Sequence, residues 1–267
     1  MTRATRKRWG QHFLRDTNLL NKVVRIIGPQ PTDSILEIGP GEGALTEVLA
    51  PRVRELVGVE IDRALFESLV AQPGLKGCTF ILGDVLEIDL SALPFTGFPV
   101  RVVGNIPYSI TSPLIFRFLD DPGRWSDIHF MVQQEVADRL TAVPGTRAYG
   151  RLTVMVQSAG DVKEELKVPP EVFVPRPRVR SAVVSIRPHG KFAWNRRGRQ
   201  AFRLLVRRAF SQRRKMLKNS LDMYPWEEIT DFDFSRRPES VSVEEFVKLS
   251  RRFLEGGLEP GGGGTRR

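Results

Sequence analysis

Asn105-Ile106-Pro107-Tyr108 follows the apolar run Val100 to Val103, and its residue types can hold a planar amino group. The Asn105 side-chain oxygen and the Ile106 carbonyl can each accept one N–H, which aims the nitrogen lone pair at an electrophile. Pro107 turns that carbonyl outward, and the Tyr108 ring offers a face on which an aromatic base stacks. The lone pair of an aromatic amine is delocalised into the ring, so positioning is the main service required. No lysine, cysteine or serine nucleophile is needed when the electrophile brings its own leaving group. The same Gly-Asn-x-Pro sequence also suits a plain turn after a strand, and other segments must decide between the two.

A second constellation is Glu37-Ile38-Gly39-Pro40-Gly41-Glu42-Gly43. Glycines at Gly39 and Gly41 let the backbone pass close to a ligand, and the helix expected after them offers free N–H groups at its start. Glu60 stands 21 residues after Gly39, at the end of the next apolar run, where a carboxylate can accept both hydroxyls of a ribose. Asp84, in Leu82-Gly83-Asp84, can bind an adenine amino group. Each of these also has a bland reading, as a tight turn or a solvated loop carboxylate; it is their recurrence at successive strand ends that favours a nucleoside crevice. Gly39, Gly41 and Ala44 also satisfy the dinucleotide fingerprint G-x-G-x-x-A. Glu37 before the turn suits a cofactor bearing an ammonium or sulfonium, and hydride transfer has no use for the Asn105 motif. S-adenosylmethionine is favoured over a nicotinamide dinucleotide, and no metal is expected.

Elements that would position these residues follow from periodicity. Asp16 to Ile27 reads as a capped amphipathic helix with Leu19, Leu20, Val23, Val24 and Ile27 on one stripe. Strands are expected at Ser34 to Ile38, Glu55 to Glu60, Thr79 to Leu82, Val100 to Val103 and Ile128 to Val132, with helices at Ala44 to Ala50, Arg63 to Ala71 and Pro113 to Leu119. The alternation predicts an α/β fold whose mostly parallel sheet carries its ligands at the carboxyl ends of the strands. Leu152 to Gly160 and Ala182 to Ile186 read as two strands closing the sheet, separated by a proline-rich extended loop from Val168 to Val179. After His189 the pattern turns helical. The expected organisation is a domain over residues 1–189 with a basic arm at 1–10, a smaller all-α domain over 190–255, and a disordered Gly-rich tail at 256–267.

Charge is distributed unevenly. The net charge of +10 divides into +4 over residues 1–16, −6 over 17–165 and +12 over 166–267. An acidic body between basic ends suggests a catalytic domain flanked by polyanion-binding segments, with nucleic acid the natural polyanion. Lys191 to Leu221 holds 11 basic residues and no acidic one. From Phe202 it reads as one helix that turns Phe202, Leu205, Val206, Ala209, Phe210 and Leu217 inward and carries Arg203, Arg207, Arg214 and Lys218 along another face for RNA phosphates. The single cysteine, Cys78, excludes an intrachain disulfide. His12, His129 and His189 have no metal-ligand spacing. No run of 18 apolar residues and no cleavable apolar leader is seen, so a soluble cytoplasmic protein without membrane contact is expected.

The motifs E-I-G-P-G-E-G, V-E-I-D at 59–62, G-D-V at 83–85 and G-N-I-P-Y at 104–108 resemble those of class I S-adenosylmethionine-dependent methyltransferases acting on amino groups. Together with Gly10-Gln11-His12-Phe13-Leu14, Ala148 to Leu152, Val172 to Val179 and Ala209 to Lys215, the chain is similar to one branch, the ribosomal RNA small-subunit adenine dimethyltransferases, from about Lys7 to Leu254. The resemblance implies a Rossmann-like methyltransferase domain with a helical RNA-binding domain behind it. It also implies dimethylation of two adjacent adenosines near the 3′ end of 16S ribosomal RNA, by a monomer acting on the small subunit or its precursor. Carried over by position, His12, Leu14, Gly39, Gly41, Glu60, Asp84 and Asn105 would hold the cofactor or its surroundings, with His12 acting through its backbone. Tyr108 and Phe173 would sandwich a flipped-out base; a plug beneath the proline-rich loop is the other reading of Phe173. Three alternatives remain: a large-subunit adenine methylase, a methylase of protein glutamine or DNA adenine, and an assembly factor whose methylation is incidental.

Overall fold

The computed structural model describes residues 12–256 apart from 108, 122, 193, 194, 223 and 225–228. The basic arm, Tyr108 and residues 257–267 of the tail therefore lie outside the described residues. Two compact units are formed: one of residues up to Ala137 together with Asp161–Pro188, the other of Asp138–Gly160 together with residues from His189 onward. The boundary expected near residue 189 is one of three places where the chain passes between them.

The first unit is built on a seven-stranded sheet. In chain order its strands are β2 (Ser34–Ile38), β3 (Glu55–Glu60), β4 (Thr79–Leu82), β5 (Val100–Asn105), β6 (Trp125–Gln133), β7 (Gly160–Val168) and β9 (Ser181–Pro188), and they lie in the order β4-β3-β2-β5-β6-β9-β7. A separate two-stranded pair joins β1 (Phe13–Leu14) to β8 (Phe173–Val174), antiparallel. The pairs β2/β3, β3/β4, β2/β5 and β5/β6 are parallel, and β9 runs antiparallel to β6. Strand order reverses at β2/β5, which opens a crevice at the carboxyl ends of those two strands. The register Ile38↔Gly104 sets Gly39 beside Asn105 at that point.

Local chemistry explains the elements. Helix α1 (Thr17–Ile27) starts where Asp16 accepts the Leu19 N–H at 2.8 Å and stops at Gly28, whose φ of 60° closes the last turn. Its stripe Leu19, Leu20, Val23, Val24 and Ile27 is buried in a core shared with Ile35, Leu49, Leu56, Val103 and Val183. The guanidinium of Arg101 bonds Asp33 at 2.8 Å, Asp127 at 2.8 and 2.9 Å, and the carbonyls of Ile27 and Gly28, so it ties the end of α1 to β5 and β6. Burial acts to raise the Asp127 pKa, but hydrogen bonds from His129 and Arg101 outweigh it and hold the carboxyl at about 2. Helices α2 (Ala44–Leu49), α3 (Arg63–Ala71), α4 (Thr111–Leu119) and α5 (Gln134–Leu140) complete the alternation.

Gly104 has no room for a side chain. A Cβ there would stand 2.6 Å from the Ile38 carbonyl on the adjoining strand. Gly104→Ala is expected to force β2 and β5 apart at the crevice, at a cost of roughly 1–3 kcal/mol, and to lower the melting temperature by several degrees. A thermal melt indistinguishable from wild type would contradict this.

In the second unit, Leu152 to Gly160 is not the strand its β-branched run suggests. Arg151–Gln157 is a helix, α6. The Thr153 hydroxyl accepts the Gly150 N–H at 3.1 Å and donates to the Arg139 carbonyl, which starts a helical turn, and Val154, Met155 and Val156 are all buried on it. The strand follows instead at Gly160–Val168, in a charged alternating run.

The single helix expected from Phe202 is also corrected. Helix α7 spans Arg196–Ala209, a 3₁₀ turn covers Phe210–Gln212, and α8 (Leu217–Ser220) is separate. The amides of Leu217 and Lys218 donate to the carbonyls of Arg236 and Phe234 at 2.9 and 3.0 Å rather than back along the helix, and tertiary bonding overrides the local pattern. Tyr149 is fully buried; its hydroxyl donates to the Val241 carbonyl at 2.8 Å and burial pushes its pKa up. Arg213 donates to the carbonyls of Arg147 and Tyr149 at 2.6 and 2.9 Å. Helix α9 (Val243–Glu255) opens with a Ser242–Glu245 capping box.

Candidate active site

A cavity of about 560 Å³ opens at the carboxyl ends of the central strands, a size ordinary for a nucleoside-bearing ligand. Its wall includes His12, Leu14, Gly39, Gly41, Glu60, Asp84, Asn105 and Ile106, so the residues expected at the cofactor and the two amine acceptors meet in one space. Phe173 does not line it. Leu14↔Phe173 pairing places Phe173 in the apolar core with 2% exposure, and stacking on a base would require that side chain to be uncovered. Tyr108 lies outside the described residues.

The loops are stitched by their own backbone. Gly39 donates to the Val59 carbonyl and Gly83 to the Glu60 carbonyl, both at 2.9 Å. Gly39 and Gly41 have φ of 64° and 63°, a region where a side chain is strained. A Cβ on Gly41 would also press on the Phe13 ring at 3.0 Å. Glu60, 1% exposed, accepts the Gly41 N–H at 3.0 Å on one oxygen and the Asp62 N–H at 2.9 Å on the other. Burial raises its pKa while those backbone bonds oppose the rise. The Ile61 N–H is a further backbone partner, and the acceptor capacity that the backbone leaves is available to a hydroxyl. Asp84 holds the Leu86 N–H at 2.8 Å on Oδ1.

Glu37 is the most perturbed acid in the cavity wall. Burial, reinforced by the nearby Glu60 charge and opposed by the 2.7 Å hydrogen bond from the Thr46 hydroxyl, raises its pKa to about 7. A cationic ligand would restore its ionised form. The sign for stability follows: with the folded pKa above the unfolded one, stability is fully present below about pH 4.5 and is lost as pH rises to about 7, a loss of roughly 3 kcal/mol. The melting temperature of the ligand-free enzyme is therefore expected to fall between pH 5 and 8, and Glu37→Gln should remove most of that fall. An unchanged slope in the variant would contradict the assignment.

Periodicity could not reveal the strap formed by residues 12–15. Phe13 and Leu14 pair with β8, Arg15 bonds Glu42 at 3.0 and 3.2 Å, and the Asn105 Nδ2 donates to the His12 carbonyl at 2.7 Å. His129 was also hidden: it lines the cavity and bonds Asp127 at 3.1 Å, a pairing on one strand face that alternate spacing permits but does not announce.

The family model for ribosomal RNA adenine dimethylase matches residues 2–252. The chain belongs to that family. A ribosomal RNA small subunit methyltransferase A from Chromohalobacter salexigens is 44% identical over 260 residues, covering 94% of this chain and 92% of the relative. Among solved structures, a dimethyladenosine transferase from Plasmodium falciparum superposes with a TM-score of 0.79 at 26% identity, covering 93% of this chain and 99% of the other. The 23S rRNA methyltransferase ErmE gives 0.69 at 27% identity, covering 91% and 99%. This adenine dimethylase is thus an S-adenosylmethionine-dependent methyltransferase with the class I fold and a helical C-terminal portion.

Of the residues assigned to RNA, Arg203 and Arg207 lie on α7, Arg214 in the turn after it and Lys218 on α8. They do not share one helical face. Arg203 is half-buried, and desolvation lowers its pKa. No helix among the described residues is long and apolar enough to cross a membrane.

Proposed function

We propose that this dimethylase transfers methyl groups from S-adenosylmethionine to the exocyclic amino groups of two adjacent adenosines near the 3′ end of 16S ribosomal RNA, in the small subunit or its precursor. One observation carries the chemistry: Asn105 and Ile106 open onto the same cavity as Gly39, Gly41, Glu60 and Asp84. The small-subunit assignment is supported by the 44% identity to a small-subunit enzyme, against 27% to a 23S enzyme.

The residues present fit the cofactor. The positive-φ glycine turn leaves a cradle that a Cβ would fill, Glu60 and Asp84 offer lone pairs to ribose hydroxyls and the adenine amino group, and buried Glu37 suits a cation. When bound, S-adenosylmethionine supplies a methyl group on a good leaving group. The protein's part is to hold the target nitrogen. Neither the Asn105 Oδ1 nor the Ile106 carbonyl accepts a hydrogen bond from another described residue, which leaves each with lone pairs for one N–H of an adenine amine. The Ile106 carbonyl is held in place because the Ile106 N–H donates to the Met131 carbonyl at 3.1 Å. As the nitrogen becomes positive, the two oxygens stabilise it without reorganising, and the proton leaves to solvent. Arg203, Arg207, Arg214 and Lys218 hold RNA phosphates, contacts that position the substrate and do not read its sequence.

The test is transfer of labelled methyl groups to immature small subunits and, in parallel, to large-subunit RNA, with digestion to locate and count methyls. Two methyls on each of two adjacent 16S adenosines are expected. Label confined to large-subunit RNA would overturn the proposal.

A further inference from the structure

Asn105 has two faces, and the structure determines which one meets the substrate. Its Nδ2 lies 2.7 Å from the His12 carbonyl oxygen. A carbonyl has only lone pairs to offer, so the amide must turn its N–H toward the strap and its oxygen away. The strap carbonyl is itself held from several sides. Phe13 and Leu14 pair with Val174 and Phe173, the Arg15 N–H donates to the Val172 carbonyl at 3.3 Å, and the His12 ring Nδ1 lies 2.7 Å from the Pro175 carbonyl. On the other side Arg15 is paired with Glu42 at 3.0 Å, and Asp16 caps α1.

We propose that the backbone of residues 12–15 is a positioning and specificity element: the His12 carbonyl locks the Asn105 amide so that the cavity presents an acceptor, which takes an amino purine and rejects an oxo purine. The inference rests on the reading of Asn105 as a holder of the target amine. With the amide reversed, the same side chain would present N–H donors and favour a ring nitrogen or an oxo group at the position where the amine belongs. The strap thus carries part of the choice of substrate atom although its side chains need not touch the base.

Asn105→Asp probes the lock, because it keeps the shape and, when ionised, offers the substrate an acceptor at least as strong as the amide oxygen while it replaces the N–H that faces His12 by oxygen, so a loss of transfer reports the His12 side. In the ionised variant the new carboxylate sets oxygen against oxygen; once protonated, it donates to the His12 carbonyl as the amide does. Single-turnover transfer at saturating cofactor is measured from pH 5.5 to 8 for wild type, Asn105→Asp and Asn105→Ala. The other ionisable groups on the cavity wall, His12, Glu37, Glu42, Glu60, Asp84 and His129, are common to all three, so the ratio to wild type reads the substituted position. The Asn105→Asp variant is expected on the order of tenfold or more below wild type at pH 8 and to recover as pH falls. The melting temperature of its ligand-free form should fall relative to wild type over the same rise in pH. A flat ratio, or Asn105→Asp as active as wild type at pH 8 while Asn105→Ala is inactive, overturns the lock alone. Transfer that survives in Asn105→Ala at the wild-type rate overturns the underlying reading of Asn105 and the lock with it.

Discussion

Asn105→Ala is expected to slow methyl transfer about 10²–10³-fold, the usual cost of deleting one preorganised polar group at a developing charge, while the fold is kept. The side chain stands at the end of β5 and is only partly buried, so its removal leaves no large cavity in the core. The remaining Ile106 carbonyl can still hold one N–H, which is why some transfer persists. The loss should lie in the single-turnover rate at saturating RNA and cofactor and should not be regained at higher concentrations of either. A variant within about threefold of wild type, well short of the loss expected for such a group, with methyls still placed on the same adenosines, would remove Asn105 from the chemistry.

The second large effect concerns the basic helical unit. Replacing Arg207, Arg214 and Lys218 together by Ala is expected to weaken binding of small-subunit RNA by about two orders of magnitude at low salt. It should also flatten the slope of log affinity against log salt by roughly 2–3, about one phosphate contact per residue. Arg203 is left in place in this test because it is half-buried and its loss would mix packing with charge. Cofactor binding should be unaffected. An unchanged salt slope would show that these side chains are solvated and that phosphate contact lies elsewhere.

Short runs bounded by turn residues were legible without coordinates. Ser34–Ile38, Glu55–Glu60 and Thr79–Leu82 occur as strands with the expected limits: the first two are short, mostly apolar and buried along nearly their whole length, whereas the third is a half-exposed edge strand marked by its β-branched and aromatic residues before Gly83. The convergence of Gly39, Gly41, Glu60, Asp84 and Asn105 was legible too, since parallel strands bring every following loop to one edge. What escaped depends on partners distant in the chain. Arg101 meets Asp33 and Asp127 across 68 and 26 residues, and nothing in the local sequence of any of them marks the pairing. The strap is only two paired residues long and has no periodicity to detect. Leu152 to Gly160 has strand propensity but takes a helix over Arg151–Gln157 that buries three successive apolar side chains, Val154, Met155 and Val156, and the separate start of the helix at Leu217 comes with the Leu217 and Lys218 amides committed to Arg236 and Phe234. Phe173 shows the limit most sharply: its proline-braced loop suggests a platform for a base, and the sequence does not announce the pairing with β1 or the 2% exposure that the side chain has there.

The claim that one cavity brings donor and acceptor together is tested most directly by a crystal structure with a bisubstrate analogue, an adenosine whose amino nitrogen is tethered to the methionine–adenosine half of the cofactor. The account predicts the cofactor ribose on Glu60, its adenine beside Asp84, and the tethered nitrogen within hydrogen-bond distance of the Asn105 Oδ1 and the Ile106 carbonyl. A target nitrogen bound away from both oxygens, with the cofactor half still on Glu60, would contradict it.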